Sequence, residues 1–483
     1  MQTSRSTTLA KTLRGACRAP SHTARHYYTT VTRANTTTSL LHQPTRQPTP
    51  ALQSRHPLPT QTRHYASSSP TSSSSDLQKT PLHALHLAHG AKLVPFGGFH
   101  MPVQYTALSV SQSHAFTRAR ASLFDVSHMV QRAFSGPGAA RFLQRVTPSG
   151  AEALGEHRST LSCLLREDGS GGIVDDTVIT RLPGGVFYVV TNAACREKDD
   201  GYFEREVGKW NGEMEGEGLV VKEERWGLEG LVALQGPEAE GILKGVLHQE
   251  AGEQELDLRK VLFGQSVYAR VKMAGGRVSS PVLISRGGYT GEDGFEISIA
   301  GEETVGVTEA LLEAGGPEKV QFAGLGARDS LRLEAGMCLY GHDLDESTTP
   351  VEAGLSWIIP KERRTADAGY YGAEVIAKQL VAKSKGGSGV ERRRIGLIVE
   401  GAPAREGAEI VTRAEEGKES VQLGVVTSGC PSPTLGKNIA MGYVKDGFHK
   451  AGTEVDVLVR GRPRKAVVAK MPFVPTKYWK GDA

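Results

Sequence analysis

Acidic residues are absent from the first 75 positions of this 483-residue chain. The same stretch carries eight arginines, one lysine and many serines and threonines. The other 48 of the 57 basic residues face 53 acidic ones, so the body is mildly acidic although the whole chain carries +4. A basic face for a nucleic acid is therefore missing from the part that folds. Missing too is any apolar run approaching about 18 residues, so no membrane-spanning helix is predicted. Cysteine is scarce, at 17, 163, 195, 338 and 430, and forms no C-x-x-C pair; no H-E-x-x-H occurs. That excludes a local zinc motif and leaves isolated reduced thiols. No G-x-G-x-x-G opens a strand–helix unit, and no lysine follows the glycines as a phosphate loop requires.

The acid-free segment has the composition of an organellar transit peptide. "RHYAS" (63–67) resembles a mitochondrial processing site with cleavage after Tyr65. Residues 1–65 are expected to be removed, 66–80 to form a loose new N-terminus, and the mature chain to reside in the mitochondrial matrix.

From Pro81 the pattern becomes globular, and the length allows two or three compact units. "SGPGAARFL" (135–143) and "QGPEAEGIL" (235–243) repeat one motif after strand-like runs. A glycine N-cap followed by proline at the first helical position would start a helix there. Interspersed strands and helices with many glycine turns favour α+β with antiparallel sheet. One region is expected over 81–382, as two intertwined α+β subdomains. A linker follows at 383–390, and short apolar runs over 391–478 predict a small β-barrel.

Three constellations carry possible chemistry. In "RGGYTGEDGFEIS" (286–298) the residues before Glu292 are wrong for a calcium loop. What remains is a turn delivering a strand on which Phe295, Ile297 and Ile299 share one face and Glu296 the other. Glu296 is then either an exposed strand carboxylate or an acceptor for two N–H groups of a planar heterocycle. In "SLFDVSHMV" (122–130) Asp125 lies among apolar residues. Desolvation there would raise its pKa and suit it to proton transfer or to holding an amine; alternatively it caps turn amides. In "GARDSLRLEAGMCLYGHDLDESTTPVEAGLSW" (326–357) Asp329 and Arg332 stand at helical spacing for a surface ion pair. Arg328 there could clamp a carboxylate, and Trp357 offers a stacking surface.

"LFDVSHM", "GYTGEDGFEIS", "ARDSLRLEAGMCLYGHDLDESTTPVEAGLSW", "TSGCPSPTLGKNIAMGYV" and "KMPFVPTKY" follow one another in order. Together they resemble the aminomethyltransferase (T-protein) family of the glycine cleavage system, from about Pro81 to Tyr478. The resemblance implies a three-domain α+β folate-binding fold with a C-terminal small β-barrel. It implies an enzyme that releases ammonia from the aminomethyl-lipoyl arm of H-protein and passes the one-carbon unit to tetrahydrofolate, giving 5,10-methylenetetrahydrofolate. P- and L-proteins would be indirect partners; no metal and no flavin is implied.

Carried over by position, Asp125 becomes the catalytic carboxylate and Glu296 grips the pterin edge beside Tyr289. Asn192 falls in the pterin region, Arg328 and Tyr478 at substrate-binding positions, and Trp357 along the folate site. Met101 and Tyr105 come from the adjoining loop. The basic runs "KERR" (361–364) and "ERRR" (391–394) are candidate docking charges for an acidic H-protein. Two rivals remain. Sarcosine and dimethylglycine dehydrogenases join a related half to a flavin domain, for which this chain has no room. Folate-binding iron–sulfur cluster assembly proteins carry a Lys-Gly-Cys-Tyr-x-Gly-Gln motif that "DAGYYGAEV" (367–375) only faintly matches.

Overall fold

The computed structural model describes residues 77–482 except 251, 253–254 and 414–418. The expected transit peptide, its cleavage point and most of the new N-terminus lie outside the described residues.

The chain opens with α1 (His83–Ala88), a hairpin of β1 (Ala91–Phe96) and β2 (Phe99–Tyr105), and α2 (Val110–Ala119). Ser109 and Gln112 cap α2 reciprocally, satisfying the first free amides of the helix. A buried strand, β3 (Ala121–Asp125), then leads into two similar units. The first runs β4 (Val130–Ser135), α3 (Ala139–Val146), β5 (Arg158–Leu165), β6 (Ile173–Arg181), β7 (Phe187–Thr191), α4 (Arg196–Met214) and β8 (Lys222–Arg225). The second runs β9 (Gly230–Gln235), α5 (Ala239–Val246), β10 (Leu247–His248), β11 (Gln265–Val271), β12 (Val282–Arg286), β13 (Gly294–Ile299), α6 (Thr304–Gly315) and β14 (Val320–Phe322).

Both units belong to one 12-stranded sheet, ordered β14-β3-β9-β13-β12-β11-β5-β6-β7-β4-β8, with β10 beside β11. Reading outward from the β11–β5 contact, the second unit gives β11-β12-β13-β9 and the first β5-β6-β7-β4. The same connectivity has been laid down twice. The sheet is antiparallel except at β14–β3, so the α+β expectation holds.

The repeated Gly-Pro does not start the helices as expected. The N-caps are Gly138 and Glu238, two residues further on. Gly136 (φ 103°) and Gly236 (φ 127°) instead turn the chain off the strand end. A Cβ at Gly236 would stand 2.2 Å from the Arg120 carbonyl oxygen. Gly236→Ala is expected to destabilise the protein by about 1–3 kcal/mol, the range for a non-glycine residue forced to positive φ. An unchanged midpoint in urea unfolding would refute this. Past the turn, each helix buries its apolar stripe: Phe142, Leu143 and Val146 on α3, and Ile242, Leu243 and Val246 on α5.

After α7 (Leu325–Glu334) a long loop leads to α8 (Ala373–Leu380). Then come β15 (Arg392–Val399), β16 (Glu409–Val411), β17 (Gln422–Ser432), β18 (Lys437–Lys445), β19 (Glu454–Val459) and β20 (Arg462–Ala469). These six close into a barrel, ordered β15-β18-β17-β16-β19-β20, around Leu397, Ile410, Val455 and Val457. Residues beyond β20 leave the barrel and return to the large sheet: Phe473 N–H bonds the Glu334 carbonyl, and Lys477 N–H the Gly291 carbonyl. No described helix is long and apolar enough to cross a membrane.

Candidate functional site

Asp125 ends β3, which is buried throughout between β9 and β14. Alternation along this strand sends Leu123 into the core beneath α5 and α6, and Phe124 into the core against α7. Although the Asp125 side chain has no exposed surface, its oxygens are well supplied. Oδ2 accepts from Thr80 Oγ1 (2.6 Å) and His86 Nε2 (2.8 Å), and Oδ1 from the Ser127 N–H (2.9 Å). Burial pushes its pKa up, but the His86 hydrogen bond and charge, with the bonds from Ser127 and Thr80, reverse the direction. The net shift is downward. The sequence expectation of a raised pKa is thus overturned, because apolar neighbours in the sequence do not reveal donors brought from α1 and its approach.

His128, three residues on, is buried between Phe96 and Phe99, with ring centroids at 5.5 and 6.4 Å. Its Nδ1 has no hydrogen-bond partner. Burial lowers its pKa to about 4, so the ring is neutral near pH 7; Asp125, Arg328 and Arg196 all act on it electrostatically. Arg328, on α7, lays its guanidinium 4.8 Å over the Tyr289 ring, whose hydroxyl donates to the Cys338 carbonyl. The Arg328 Nη1 is buried without a partner. Burial lowers the Arg328 pKa and raises that of Glu296, and each partly offsets the other's shift by opposite charge. Glu296 stands on the face of β13 opposite Phe295, Ile297 and Ile299, as its strand alternation predicts.

Asn192 continues the cluster. Its Nδ2 donates to Asp175 Oδ1 and Asp176 Oδ1, both at 2.8 Å, and its backbone N–H to Asp175 Oδ2 at 2.9 Å. Burial, then the charge of Asp175, pushes the Asp176 carboxyl up to about 7; Asp176 in turn acts on Tyr289. Tyr478 stacks on Phe263 at 4.2 Å and keeps its buried hydroxyl unpartnered, near Arg118 and Glu292. Glu292 and Asp293 shape the turn: Glu292 binds Arg118 (3.0 Å) and Lys477 (3.1 Å), and Asp293 binds Arg286.

Other expected residues lie elsewhere. Met101 and Tyr105 are in strand β2, not a loop, because Gly97 and Gly98 turn the chain back into a hairpin. Met101 is fully buried, and Tyr105 stacks on Phe322 and bonds His86 Nδ1 at 2.9 Å. Trp357 is 64% exposed. Arg332 is buried rather than superficial, and pairs with Asp343 (2.7 Å) as well as Asp329. The arginines expected to dock a partner are consumed internally. Arg363 and Arg364 donate to the carbonyls of Gln144, Pro148, Ser356 and Ile359; Arg394 donates to those of Ala353 and Gly336. Arg392 and Arg393 pair with Glu352 and Asp446.

Arg328, over the Tyr289 ring, thus acts on the buried Glu296 carboxylate, and both Arg328 and Asp125 act on His128. Among the described residues no group of side chains is arranged to hold a metal ion. The unpartnered Arg328 Nη1 and Tyr478 hydroxyl, with Glu296, suit a polar heterocycle with an anionic tail.

The sequence model of the GCVT N-terminal domain matches residues 82–363, and that of the glycine cleavage T-protein C-terminal barrel domain matches residues 392–475. The two domains are thus those of the glycine cleavage T-protein class. A "Probable aminomethyltransferase, mitochondrial" of Schizosaccharomyces pombe is 45% identical over 412 residues, 85% of this chain and 97% of that one. The Saccharomyces cerevisiae aminomethyltransferase is 45% identical (84% and 96%), and that of Pisum sativum 44% (84% and 91%). The crystal structure of glycine cleavage system aminomethyltransferase T from Bartonella henselae is 36% identical with a TM-score of 0.70, covering 83% of this chain and 99% of that one. This chain belongs to the aminomethyltransferase family, the T-proteins of the glycine cleavage system. It is a mitochondrial transferase, and the iron–sulfur assembly alternative finds no support among these relatives.

Proposed function

We propose that the acceptor is tetrahydrofolate and that the donor is the aminomethyl group on the lipoyl arm of H-protein, in the mitochondrial matrix. Starting from the protonated amine, the carbon exchanges its C–S and C–N bonds for two C–N bonds to the folate amines. The nitrogen leaves as ammonium and the sulfur regains a thiol proton; both protons come from the folate amines, so the reaction needs no oxidant. P- and L-proteins meet this chain only through H-protein.

One observation carries the reading: the unpartnered, buried Arg328 Nη1 over Tyr289, facing the field of Glu296 and acting, as Asp125 does, on His128. Glu296 accepts from the pterin edge, and Tyr289 and Asn192 frame the ring. Arg328 and Tyr478 take polar groups further along the folate. Asp125 faces the carbon where positive charge develops.

Product is expected from aminomethyl-loaded H-protein only when tetrahydrofolate is supplied. Glu296→Gln should raise the Kd for tetrahydrofolate about tenfold or more, as expected for loss of a charge-assisted hydrogen bond worth about 1.5–3 kcal/mol. Isothermal titration checks this. Product without folate, or an unchanged Kd in the variant, would refute the assignment.

A further inference from the structure

Two groups around Asp125 have no part in the proposed function: His86 and Tyr105. Both are buried, and they form a chain leading away from the site. The Tyr105 hydroxyl meets His86 Nδ1 at 2.9 Å, and His86 Nε2 meets Asp125 Oδ2 at 2.8 Å. Because Oδ2 is an acceptor, Nε2 carries the hydrogen; Nδ1 then accepts a hydrogen bond from the Tyr105 hydroxyl. Phe322 packs edge-on against the imidazole at 5.4 Å and stacks on Tyr105 at 5.5 Å, fixing both rings. Thr80 adds a second donor to Oδ2 at 2.6 Å. Oδ2 is thereby saturated, while Oδ1 has only the Ser127 amide and keeps a lone pair.

We propose that His86, oriented by Tyr105, is a positioning residue that locks Asp125 as an ionised carboxylate with Oδ1 presented to the site. Asp125 then acts as a fixed negative charge on the developing cation and not as the carrier of the proton. A carboxylate held this firmly is a poor base, and a proton on Oδ2 would have to displace two donors. This inference rests on the proposed transferase reading. The titratable groups facing Asp125 are His86 on α1, Tyr105 on β2 and His128 on its own loop.

The test is the pH profile of single-turnover product formation between pH 5.5 and 8, in the whole protein with loaded H-protein and tetrahydrofolate. Asp125 of the wild type, its pKa lowered, contributes no acid limb in that window. In His86→Gln burial remains while the fixed Nε2–H donor is lost, so the Asp125 pKa rises. Activity, which needs the ionised form, then falls as the pH drops. The ratio of wild-type to variant rate should grow at least tenfold from pH 8 to pH 5.5, with the Kd for tetrahydrofolate unchanged. Tyr105→Phe removes only the hydroxyl at Nδ1. It should move the profile in the same direction by a smaller amount, and it decides the matter if His86→Gln does not fold. A rate ratio constant across the pH range would overturn the inference, since a merely structural histidine lowers the rate evenly. If wild type itself forms no product, the transferase reading fails instead, so the two failures are distinguishable.

Discussion

Asp125→Asn should lower the rate of single-turnover product formation by a hundredfold or more while leaving tetrahydrofolate affinity within about threefold. The substitution keeps the shape and can still accept hydrogen bonds from Thr80, His86 or Ser127, but it removes the charge. Loss of one fixed electrostatic group at a developing charge costs about 10²–10³ in rate, roughly 2.7–4 kcal/mol. The effect belongs on the chemical step, because in the proposed binding mode the pterin is gripped by Glu296 and framed by Tyr289 and Asn192, all on other elements. Binding and rate should therefore separate cleanly. Rapid-quench measurement of product, with parallel fluorescence titration of the folate, reads both quantities. A variant that keeps more than a tenth of the wild-type rate would place the essential charge elsewhere.

The parts of this site that were legible in the sequence share a property: they depend on local pattern. Strand alternation in "GFEISIA" put Glu296 on the correct face before any tertiary information. The short glycine-punctuated runs beyond residue 390 predicted the barrel, since closing six short strands needs little beyond that punctuation. What was illegible depends on partners distant along the chain. His86 lies 39 residues from Asp125 on a six-residue helix, and nothing in "HALHLA" announces it. Desolvation alone would raise the Asp125 pKa; the donors from His86, Ser127 and Thr80 oppose it and prevail. The pair Asp175–Asp176 did leave a signal, two acids inside the apolar run "GGIVDDTVIT" of β6, but only Asn192 reaching across from the end of β7 explains it. The basic runs misled for the converse reason. Clustered arginines read as a surface patch, yet their planar forks are spent on carbonyl groups that the long loop after α7 would otherwise bury unsatisfied.

Glu334→Ala should cost about 3–5 kcal/mol, a large share of the roughly 5–15 kcal/mol by which folded proteins are stable. Glu334 ends α7, and its fully buried carboxylate accepts from two directions. From α2 come His114 Nε2 (3.1 Å) and Arg118 Nε and Nη2 (3.2 and 2.7 Å). From the barrel side come Ser432 Oγ (2.5 Å) and the Thr434 N–H and Oγ1 (3.1 and 2.7 Å). Its backbone carbonyl receives Phe473 and Val474 of the returning tail. One residue thus joins α2, the barrel and the tail that carries Tyr478 to its place. Removing its side chain leaves Arg118 with Glu292 as its one remaining carboxylate partner and the buried donors of His114, Ser432 and Thr434 without this acceptor, and those losses set the cost. Burial raises the Glu334 pKa, but the hydrogen bonds from His114, Ser432 and Thr434 outweigh it and bring the carboxyl down to about 2. Since the folded pKa lies below the unfolded one, this contribution is complete above about pH 4.5 and is lost as the pH falls from there toward 2. Urea unfolding from pH 7 down to pH 3 should show wild type losing stability across the lower part of that range. Glu334→Gln, weaker at neutral pH, should lose less. If the two curves run parallel, or if Glu334→Ala shifts stability by less than about 1 kcal/mol at pH 7, the carboxylate is not what joins the barrel to α2.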